Sequence, residues 1–366
     1  MRILINASNL HAGGGIQVGA SVIYELSKII GKSINNEIHV ILSTEVLNNL
    51  PVNTSFDSFS SLEEVNLYGF KHNDKRLFGY DIVFTIFGPL YIKTDAKYEV
   101  TGFAQAWIAY PDNLAYKNLN IKDKIKSRII YKAKEYFFKQ SNYLIVEAEH
   151  VKFALLEKGY DEKKISVVSN TISSIYDNRA LWEHIQYSKK DRYTLGFIGR
   201  NYSHKNISRL KVVNEILHYK YNIDCEFLFT LTDVEMKENK FDILDNFKTV
   251  GSISVNQCPS FYEEIDALIF PSLLECFSVS PIEAMKMNCL VIASDLPFVR
   301  DVCKSSARYF DPLDNESIAL AIYESINNDK ENKRLIKNAS KIVEQLPNSR
   351  DRADSYLKIL TNLNNL

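Results

Sequence analysis

The chain has 366 residues, of which 46% are hydrophobic, 24% charged and 12% aromatic, and its formal net charge is -1. This length favours two domains of ordinary size, and the composition is that of a globular protein, which excludes a mainly disordered chain. The near-neutral charge argues against a dedicated nucleic-acid-binding protein, because neutralising phosphates requires a strong excess of Lys and Arg.

The five cysteines show neither the spacing of zinc ligands nor the pattern of a disulfide framework. The apolar run within Met1 to Asn6 is too short for a signal peptide, and the sequence contains no run of about 18 apolar residues. These features predict a cytoplasmic protein that neither crosses a membrane nor is secreted.

In the first half, short apolar runs alternate with amphipathic stretches, which is the pattern of βα units around a parallel sheet. An amphipathic helix is predicted from Ile16 to Ile30. The charged stretch from Tyr176 to Arg192 interrupts the alternation and is predicted to link two domains. The predicted strands are Arg2–Asn6, Ile38–Ser43, Ile82–Ile86, Tyr98–Phe103, Tyr143–Val146 and Ile165–Val168.

The alternation resumes in the second half, where apolar residues recur every three or four positions from Ile207 to Leu217 and predict a helix. The tail from Asn315 is helical in pattern, with an interruption near Pro347. The predicted strands are Tyr193–Ile198, Cys225–Thr230, Ala267–Phe270, Leu290–Ala293 and Arg308–Phe310. The predicted fold class is therefore α/β, with two doubly wound parallel-sheet domains facing across a cleft and ligands at the carboxyl ends of the strands.

A basic segment interrupts the otherwise balanced charge. Between Lys117 and Lys139, eight Lys or Arg stand against two acidic residues. Apolar side chains recur every four positions, which predicts a cationic amphipathic helix; they are Ile121, Ile125, Ile129, Ala133 and Phe137. Two interpretations stay open: the helix rests on anionic lipid headgroups, or its apolar stripe packs on the domain and its lysines are solvated.

The segment from Pro271 to Met285 follows a predicted strand and opens a predicted helix. Free backbone N–H groups and the helix dipole favour a phosphate at such a place, so Ser278 and Val279 are candidate donors to a diphosphate. Glu283, one turn into the helix, is a candidate acceptor for the two hydroxyls of a ribose.

A purely structural interpretation of this segment also stays open. Ser280 to Glu283 has the pattern of a capping box, with Pro281 at the start of the helix. Glu275 lies on the loop before the cap, where the stability of the helix requires no carboxylate. Its presence favours a binding site.

A second candidate site follows the first strand of the second half, where Gly199, Arg200 and Lys205 lie on a strand-to-helix loop. Arg offers a bidentate fork and Lys a point charge, so together they can stabilise the negative charge that develops on a diphosphate leaving group. The alternative is an ordinary solvated basic loop.

A third candidate is the glycine-rich loop from His11 to Ile16, directly after the first strand. Gly14 and Gly15 allow close approach of backbone N–H groups to a phosphate or a sugar, although a tight turn without a ligand explains them equally well. The loop lacks the G-x-G-x-x-G pattern, which argues against a nicotinamide-dependent enzyme.

Glu275 and Glu283, with seven residues between them and a Pro-Ser-x-x-Glu-x-Phe context, resemble the signature of the family 4 retaining glycosyltransferases. Arg200 and Lys205 match the basic pair of that family, and the resemblance runs along nearly the whole chain. It implies the GT-B architecture of two Rossmann-like domains. The implied boundaries are an acceptor domain over 1–175, a linker over 176–192, a nucleotide-sugar domain over 193–349 and a final helix over 350–366 that crosses back to the first domain.

The resemblance implies that Arg200, Lys205 and Glu275 are catalytic, with the two cations on the diphosphate and Glu275 near the donor sugar. It implies no metal and no other cofactor. The implied donor-binding residues are Gly14, Gly15, Gly199, Ser252, Ile253, Phe277, Ser278, Val279 and Glu283. His11 and Gln105 are placed on the acceptor or sugar side.

Gln105 stands where many family members have a histidine that contacts the donor hexose. A glutamine cannot act as a base, and its presence predicts that the donor sugar is not an ordinary 6-hydroxy hexose but a 6-deoxy or otherwise modified sugar. The family also often has glycines beside the position of Phe277, where this chain has Cys276 and Ser278.

The resemblance implies transfer of a sugar from a nucleoside diphosphate sugar to a hydroxyl of a saccharide, expected to be polyprenol-linked, in O-antigen or capsule biosynthesis. A peripheral position on the inner face of the cell membrane is expected, and no nucleic-acid partner is. The alternatives are a nucleotide-sugar epimerase or phosphorylase of GT-B type, and a catalytically idle glycosyltransferase-like partner subunit.

Overall fold

The computed structural model describes residues 1–11, 13–30, 36–51, 54–65, 74–189 and 191–363. The chain divides into two compact units. The first unit comprises Met1–Pro111, Lys122–Ser173 and Pro347–Leu366, and the second comprises Asp112–Ile121 and Ser174–Leu346. Each unit contains one parallel sheet, as the alternation of strands and helices predicts.

The sheet of the first unit has seven parallel strands in the order β3-β2-β1-β4-β5-β6-β7. Its central strand β1 is apolar at consecutive positions because both of its faces are buried. Ile3 and Ile5 lie in the main core, whereas Leu4 lies in a smaller cluster with Val83. The strands are β1 (Arg2–Ala7), β2 (Glu37–Leu42), β3 (Ser61–Glu64), β4 (Ile82–Thr85), β5 (Tyr98–Phe103), β6 (Tyr143–Val146) and β7 (Ile165–Val167).

The sheet of the second unit has six parallel strands in the order β10-β9-β8-β11-β12-β13. Because β8 and β11 are neighbours, the loops that follow them leave the same edge of the sheet side by side. The strands are β8 (Thr194–Phe197), β9 (Glu226–Phe229), β10 (Phe247–Thr249), β11 (Ala267–Phe270), β12 (Leu290–Ser294) and β13 (Ala307–Phe310).

Two edge strands, β3 and β10, were not among the strands predicted from apolar patterning. In β3 the sequence Ser-Leu-Glu-Glu offers one apolar side chain, and most of the strand is exposed. Each of the two strands pairs with a single neighbour. Edge strands of this kind carry little apolar signal, because one side of the strand lacks a packed neighbour.

The predicted helices form with shifted ends. The first predicted helix runs from Gly14 to Ile29, and the final one ends at Leu363, with 364–366 outside the described residues. The helices are α1 (Gly14–Ile29), α2 (Thr44–Asn48), α3 (Ala106–Ala109), α4 (Ile121–Phe138), α5 (Glu149–Glu157), α6 (Leu210–Tyr221), α7 (Asp233–Glu238), α8 (Cys258–Glu263), α9 (Ser280–Lys286), α10 (Pro297–Cys303), α11 (Asn315–Asn327), α12 (Asp329–Val343) and α13 (Ser349–Leu363). Across the described ranges, none of them has the length and apolar content needed to cross a bilayer.

The last helix, α13, packs against α1 within the first unit. Its Tyr356 ring lies 5.2 Å from the ring of Phe84 in β4. Arg352 is only 2% exposed and donates to the side chain of Asn170, which in turn donates to Glu147 over 2.7 Å. Removing any member of such a buried polar chain leaves the others without partners, so the contact holds α13 in one position.

The predicted basic helix begins at Ile121 rather than Lys117, because a 3-10 turn over Leu114–Asn118 precedes it. The interpretation in which its isoleucine stripe packs on the protein is wrong. Ile121, Ile125 and Ile129 are 75%, 57% and 64% exposed. The face of the helix that carries both aromatic and polar side chains is turned inward instead, and Phe138 is the one buried residue of the helix.

Candidate active site

The loop after β8 carries the two predicted cations. The chain turns at Gly199, whose φ of +147° is a conformation that side-chain-bearing residues rarely adopt. Arg200 follows directly, and Lys205 closes a single 3-10 turn over Ser203–Lys205. The sharp turn therefore brings both cations to the carboxyl edge of the second sheet.

The Arg200 guanidinium is held from two sides. Its Nη1 donates to Ser252 Oγ over 2.9 Å, and its Nε lies 3.0 Å from Glu235 Oε1. Ser252 follows β10 through Gly251, whose φ is +72°. The structure thus brings Arg200 together with Ser252, which the family resemblance places among the donor-binding residues, and the Arg200 side chain stays 46% exposed.

Glu235 was not identified from the sequence, because its pattern is that of a helix cap. Its side chain completes a capping box with Thr232 at the start of α7. The same carboxylate accepts from the backbone N–H of Asn201 over 2.9 Å. Burial acts to raise the pKa of Glu235, but these hydrogen bonds and Arg200 outweigh it and lower the pKa. A carboxylate fixed in this way positions Arg200 while its own bonds tie the loop to α7.

Lys205 and Glu275 form an ion pair. Lys205 Nζ lies 2.5 Å from Glu275 Oε1, and the two side chains are 14% and 15% exposed. Lys205 Nζ also lies 5.5 Å from the ring centroid of Phe270, the last residue of β11. The loops after β8 and β11 are joined in addition by a hydrogen bond of 2.7 Å from Leu273 N to His204 O. The structure therefore brings Lys205 and Glu275, two of the residues named from the sequence, into direct contact.

Two asparagines hold the Lys205 turn, and neither was identified from the sequence. Asn118 donates to the carbonyl of Ser203 over 3.1 Å and to Asn206 Oδ1 over 3.0 Å. Asn206 is 2% exposed, adopts a φ of +58° and donates to the carbonyl of Pro312 over 2.9 Å. For Asn206, the signal available in the sequence was its position directly after Lys205, because Asn tolerates the left-handed conformation better than most residues.

His204 lies beside the ion pair. Its Nε2 is 3.9 Å from Glu275 Oε1, and its ring stacks on that of Tyr202 at 5.6 Å. Burial lowers the pKa of His204, with Glu275 opposing and Lys205 adding to the shift. The imidazole is therefore neutral near pH 7, and the net charge of this part of the site is set by Lys205 and Glu275.

The capping-box interpretation of Glu283 is wrong. Helix α9 has no side-chain hydrogen bond at its N-terminal cap, and Ser280 is its first helical residue. The Glu283 carboxylate instead accepts from the hydroxyl of Tyr262 over 3.0 Å at Oε2. The same hydroxyl lies 3.1 Å from the carbonyl of Ser280. Helix capping therefore does not account for Glu283.

Burial raises the pKa of Glu283 to about 7, against the opposing effect of the Tyr262 hydroxyl. An isolated carboxyl of this type has a pKa of 4.5. Between these two values the native state binds more protons at Glu283 than the unfolded state does, so the free energy of unfolding falls as pH rises. Above pH 7 the ionised, buried carboxylate of Glu283 lowers the free energy of unfolding by its full amount, which is about 3 kcal/mol.

We expect Glu283→Gln to remove this cost. Urea unfolding of the native protein and of the variant at about pH 5 and at about pH 7.5 measures it. The stability of the variant relative to the native protein should rise by up to about 3 kcal/mol between the two pH values. Glu344→Gln, at an exposed position, controls for the loss of one carboxyl. A difference that stays constant with pH would show that Glu283 does not titrate in this window.

The loop that precedes α9 offers backbone donors. Among the described residues, the backbone N–H groups of Ser278 and Val279 find no hydrogen-bond acceptor. Phe277, Ser278 and Val279 are all half-buried. Half-buried N–H groups without a partner favour a ligand that brings oxygen acceptors, such as a diphosphate.

The remaining predicted residues belong to the first unit. Gly14 and Gly15 form the first turn of α1, and His11 lies exposed on the loop after β1. Gln105 is half-buried at the carboxyl end of β5, and its backbone carbonyl accepts from Ile108 and Ala109 at the start of α3. All four lie at the carboxyl edge of their own sheet, where ligands of such sheets bind.

Residues 179–342 match the protein family described as Glycosyl transferases group 1. A curated relative, the O-antigen chain mannosyltransferase RfbU of Salmonella typhimurium strain LT2, is 29% identical over 197 residues. The match covers 53% of this chain and 50% of the relative, so the chain spans half the length of that protein. The family match contains Arg200, Lys205, Glu275 and Glu283.

Solved structures with the same fold cover nearly the whole chain. Sucrose-phosphate synthase of Thermosynechococcus elongatus has a TM-score of 0.70 at 13% identity, covering 99% of this chain and 98% of its own. A glycosyltransferase of Rickettsia africae has a TM-score of 0.64 at 17% identity, covering 98% and 97%. Anabaena Alr3699/HepE, solved with UDP and glucose, has a TM-score of 0.64 at 12% identity, covering 99% and 100%. The predicted GT-B fold class is confirmed.

Proposed function

We propose that this protein is a retaining glycosyltransferase that moves a sugar from a nucleoside diphosphate sugar to a hydroxyl of a saccharide without using a metal. The observation that carries the proposal is the gathering of Arg200, Lys205 and Glu275 on loops that leave one edge of the second sheet. The family match over 179–342 and the mannosyltransferase relative support glycosyl transfer.

The two cations suit a diphosphate leaving group. Arg200 uses Nε and Nη1 for Glu235 and Ser252, and its Nη2 has no partner among the described residues. Lys205 has a half-buried position and one carboxylate partner, so phosphate oxygens can share its ammonium with Glu275. Positive charge that is already in place costs no reorganisation when the bond to the sugar breaks, which is why such charges accelerate transfer.

Residues at the same edge of the second sheet are proposed to contact the remaining parts of the donor. Ser252 and Ile253 present the turn proposed to meet the nucleotide base, and Ser278 and Val279 present backbone N–H groups to the diphosphate. Tyr262 donates to Oε2 of Glu283, and the Tyr176 hydroxyl is a second partner of this carboxylate. We propose that Oε1 also accepts from a ribose hydroxyl. Two hydrogen bonds from a ribose favour the ionised carboxylate and lower its pKa.

Retention without a protein nucleophile requires the acceptor hydroxyl to enter on the face that the diphosphate leaves. A leaving-group oxygen then takes the proton of that hydroxyl, while Lys205 and Arg200 stabilise the negative charge on the phosphates. The protein contributes position and electrostatics. Glu275, held by Lys205, is placed to hold hydroxyls of the donor sugar.

Two observations point to different donor sugars. The relative is named as a mannosyltransferase, which favours mannose, a 6-hydroxy hexose. Gln105 instead favours a 6-deoxy or modified sugar. We propose a hexose or deoxyhexose donor, and the matched pair of 6-hydroxy and 6-deoxy sugars on one nucleotide separates the two cases.

We expect one nucleoside diphosphate, among UDP, GDP and dTDP, to raise the melting temperature, because a ligand of the native state stabilises it. Thermal-shift measurements with these nucleotides and with their sugars test this. With the preferred nucleotide, Glu283→Gln should weaken the shift, whereas the exposed control Glu344→Gln should leave it unchanged. A protein whose melting temperature no nucleoside diphosphate moves, even at millimolar ligand, does not bind the proposed donor.

The acceptor is proposed to be a polyprenol-linked saccharide in the assembly of O-antigen or a related surface polysaccharide. The name of the relative, O-antigen chain mannosyltransferase, supports this class of acceptor. A peripheral position on the inner face of the cell membrane belongs to the proposal, since a polyprenol-linked acceptor sits in a bilayer.

A further inference from the structure

Helix α4 is attached to the first unit by its aromatic face. The ring of Phe138 packs at 4.7 Å against that of Phe103 in β5, and Tyr131 stacks on Trp107 at 5.5 Å and an angle of 6°. Glu135 adds an ion pair of 3.3 Å with Lys158. These contacts fix which side of the helix faces the protein.

The opposite side of α4 exposes aliphatic and aromatic side chains. This outer face consists of Ile121, Ile125, Ile129, Ile130 and Tyr136. Ile121, Ile125 and Ile129 follow one another at four-residue spacing, so they form a continuous row along the helix. Ile130 is 40% exposed and Tyr136 is 62% exposed.

Exposed hydrophobic side chains are concentrated on the outer face, whereas single exposed hydrophobic residues are ordinary on a protein surface. Of the fourteen large hydrophobic side chains that are exposed among the described residues, five lie on this single helix. Helix α12 is also rich in lysine, but it buries the apolar residues Leu335 and Ala339. A surface helix normally turns its apolar stripe to the core, as α12 does.

Cations surround the isoleucine row. Lys122, Lys126 and Lys132 are exposed and lie on the same half of the helix as Ile125 and Ile129. The segment from Lys117 to Lys139 holds eight basic residues against two acidic ones in a chain whose net charge is -1. The outer face therefore combines exposed aliphatic area with a positive field of its own.

We infer that the outer face of α4 binds the surface of a bilayer that contains anionic phospholipids. The isoleucines enter the boundary between headgroups and acyl chains, and the lysines contact lipid phosphates. An aromatic ring such as that of Tyr136 is favoured at the same depth of the bilayer interface. Nucleic acid would use the lysines but leave the isoleucine row in water. A second copy packed face to face on α4 would bring like charges together.

This inference deepens the proposed function, because a membrane-bound enzyme meets a polyprenol-linked acceptor at the surface that holds it. It nevertheless concerns α4, which belongs to the first unit from Lys122 onward, whereas Arg200 and Lys205 belong to the second unit. Vesicle binding is measured without donor or acceptor. Loss of vesicle binding and loss of nucleotide binding are therefore distinguishable results.

The test is co-sedimentation of the full chain with vesicles of phosphatidylglycerol mixed with phosphatidylcholine, and with vesicles of phosphatidylcholine alone. We expect binding to the mixed vesicles that weakens as salt is raised. Removing three lysines in Lys122→Gln/Lys126→Gln/Lys132→Gln should lower the affinity about 100-fold, at about fivefold for each charge. The matched control, Lys330→Gln/Lys337→Gln/Lys341→Gln, makes the same change of charge on α12 and should leave the affinity within about threefold.

A separate variant tests the contribution of the isoleucine row to vesicle binding. Ile125→Gln/Ile129→Gln should lower the affinity at least about tenfold, whereas Ile243→Gln, at a position 73% exposed in the second unit, should not. Because these side chains are exposed, the melting temperature of each variant should stay near that of the native protein.

Three results would overturn the inference. The first is absence of binding to the mixed vesicles at low salt. The second is equal loss of affinity in the α4 and α12 lysine variants, which would indicate general charge attraction. The third is a dimer in light scattering that dissociates in Ile125→Gln/Ile129→Gln, because a second copy would then cover the face.

Discussion

Lys205→Ala lowers turnover by about two to three orders of magnitude, the loss expected when one preorganised electrostatic stabiliser of a leaving group is removed. In the structure its ammonium is the closest cation to Glu275, at 2.5 Å, on a turn fixed by Asn118 and Asn206. The truncation therefore removes charge at a defined place and leaves the surrounding backbone bonds intact. The assay is release of nucleoside diphosphate under saturating donor and acceptor.

The controls for Lys205→Ala separate chemistry from folding. Lys205→Arg keeps the charge and should retain more activity than Lys205→Ala, although an arginine fork does not reproduce a point charge. Lys220→Ala removes an exposed lysine that pairs with Glu316 at 2.6 Å, and it should leave turnover unchanged. Near-normal turnover of a folded Lys205→Ala variant would remove Lys205 from the mechanism.

Gly102→Ala destabilises the first unit by at least about 3 kcal/mol, because no rotation of a methyl group relieves a clash with backbone. A Cβ at Gly102 in β5 would lie 1.6 Å from the carbonyl oxygen of Ile86 and 2.7 Å from its carbon. The same glycine accepts a hydrogen bond of 3.0 Å from Gly88 N at its carbonyl. The close approach shapes the end of the strand that leads to Gln105.

Urea unfolding measures this prediction, with Gly14→Ala as the matched control. A Cβ at Gly14 meets no atom within 4 Å, and the position lies in the first turn of α1. Alanine is the better helix former, so this control should leave stability unchanged or raise it by up to about 1 kcal/mol. If Gly102→Ala were as stable as Gly14→Ala, the described packing of β4 on β5 would be incorrect.

Strands buried on both faces were the easiest part of the fold to predict. β5, β6 and β11 begin and end where they were predicted, and β6 and β11 are buried strands made of continuous apolar runs. The edge strands β3 and β10 lack that signal and were missed. Periodicity also predicted α4 but not its orientation, since the outward face is decided by the aromatic contacts of Phe138 and Tyr131.

The candidate site was predictable where residue type and order were enough. Arg200, Lys205 and Glu275 lie on adjoining loops because parallel neighbours end at the same edge. Sequence spacing could not distinguish the two uses of an S/T-x-x-E pattern. The pattern is a true cap at Thr232–Glu235, which also holds Arg200, whereas the carboxylate of Glu283 turns to Tyr262. Only tertiary contacts decide between these outcomes.

The most direct test of sugar transfer is proton NMR of the products formed from the preferred nucleotide sugar and a saccharide-lipid acceptor. We predict a sugar joined to the acceptor with the anomeric configuration of the donor, together with release of one nucleoside diphosphate for each sugar transferred. An inverted linkage would contradict retention. Recovery of an epimerised or unchanged nucleotide sugar, with no product on the acceptor, would contradict transfer itself.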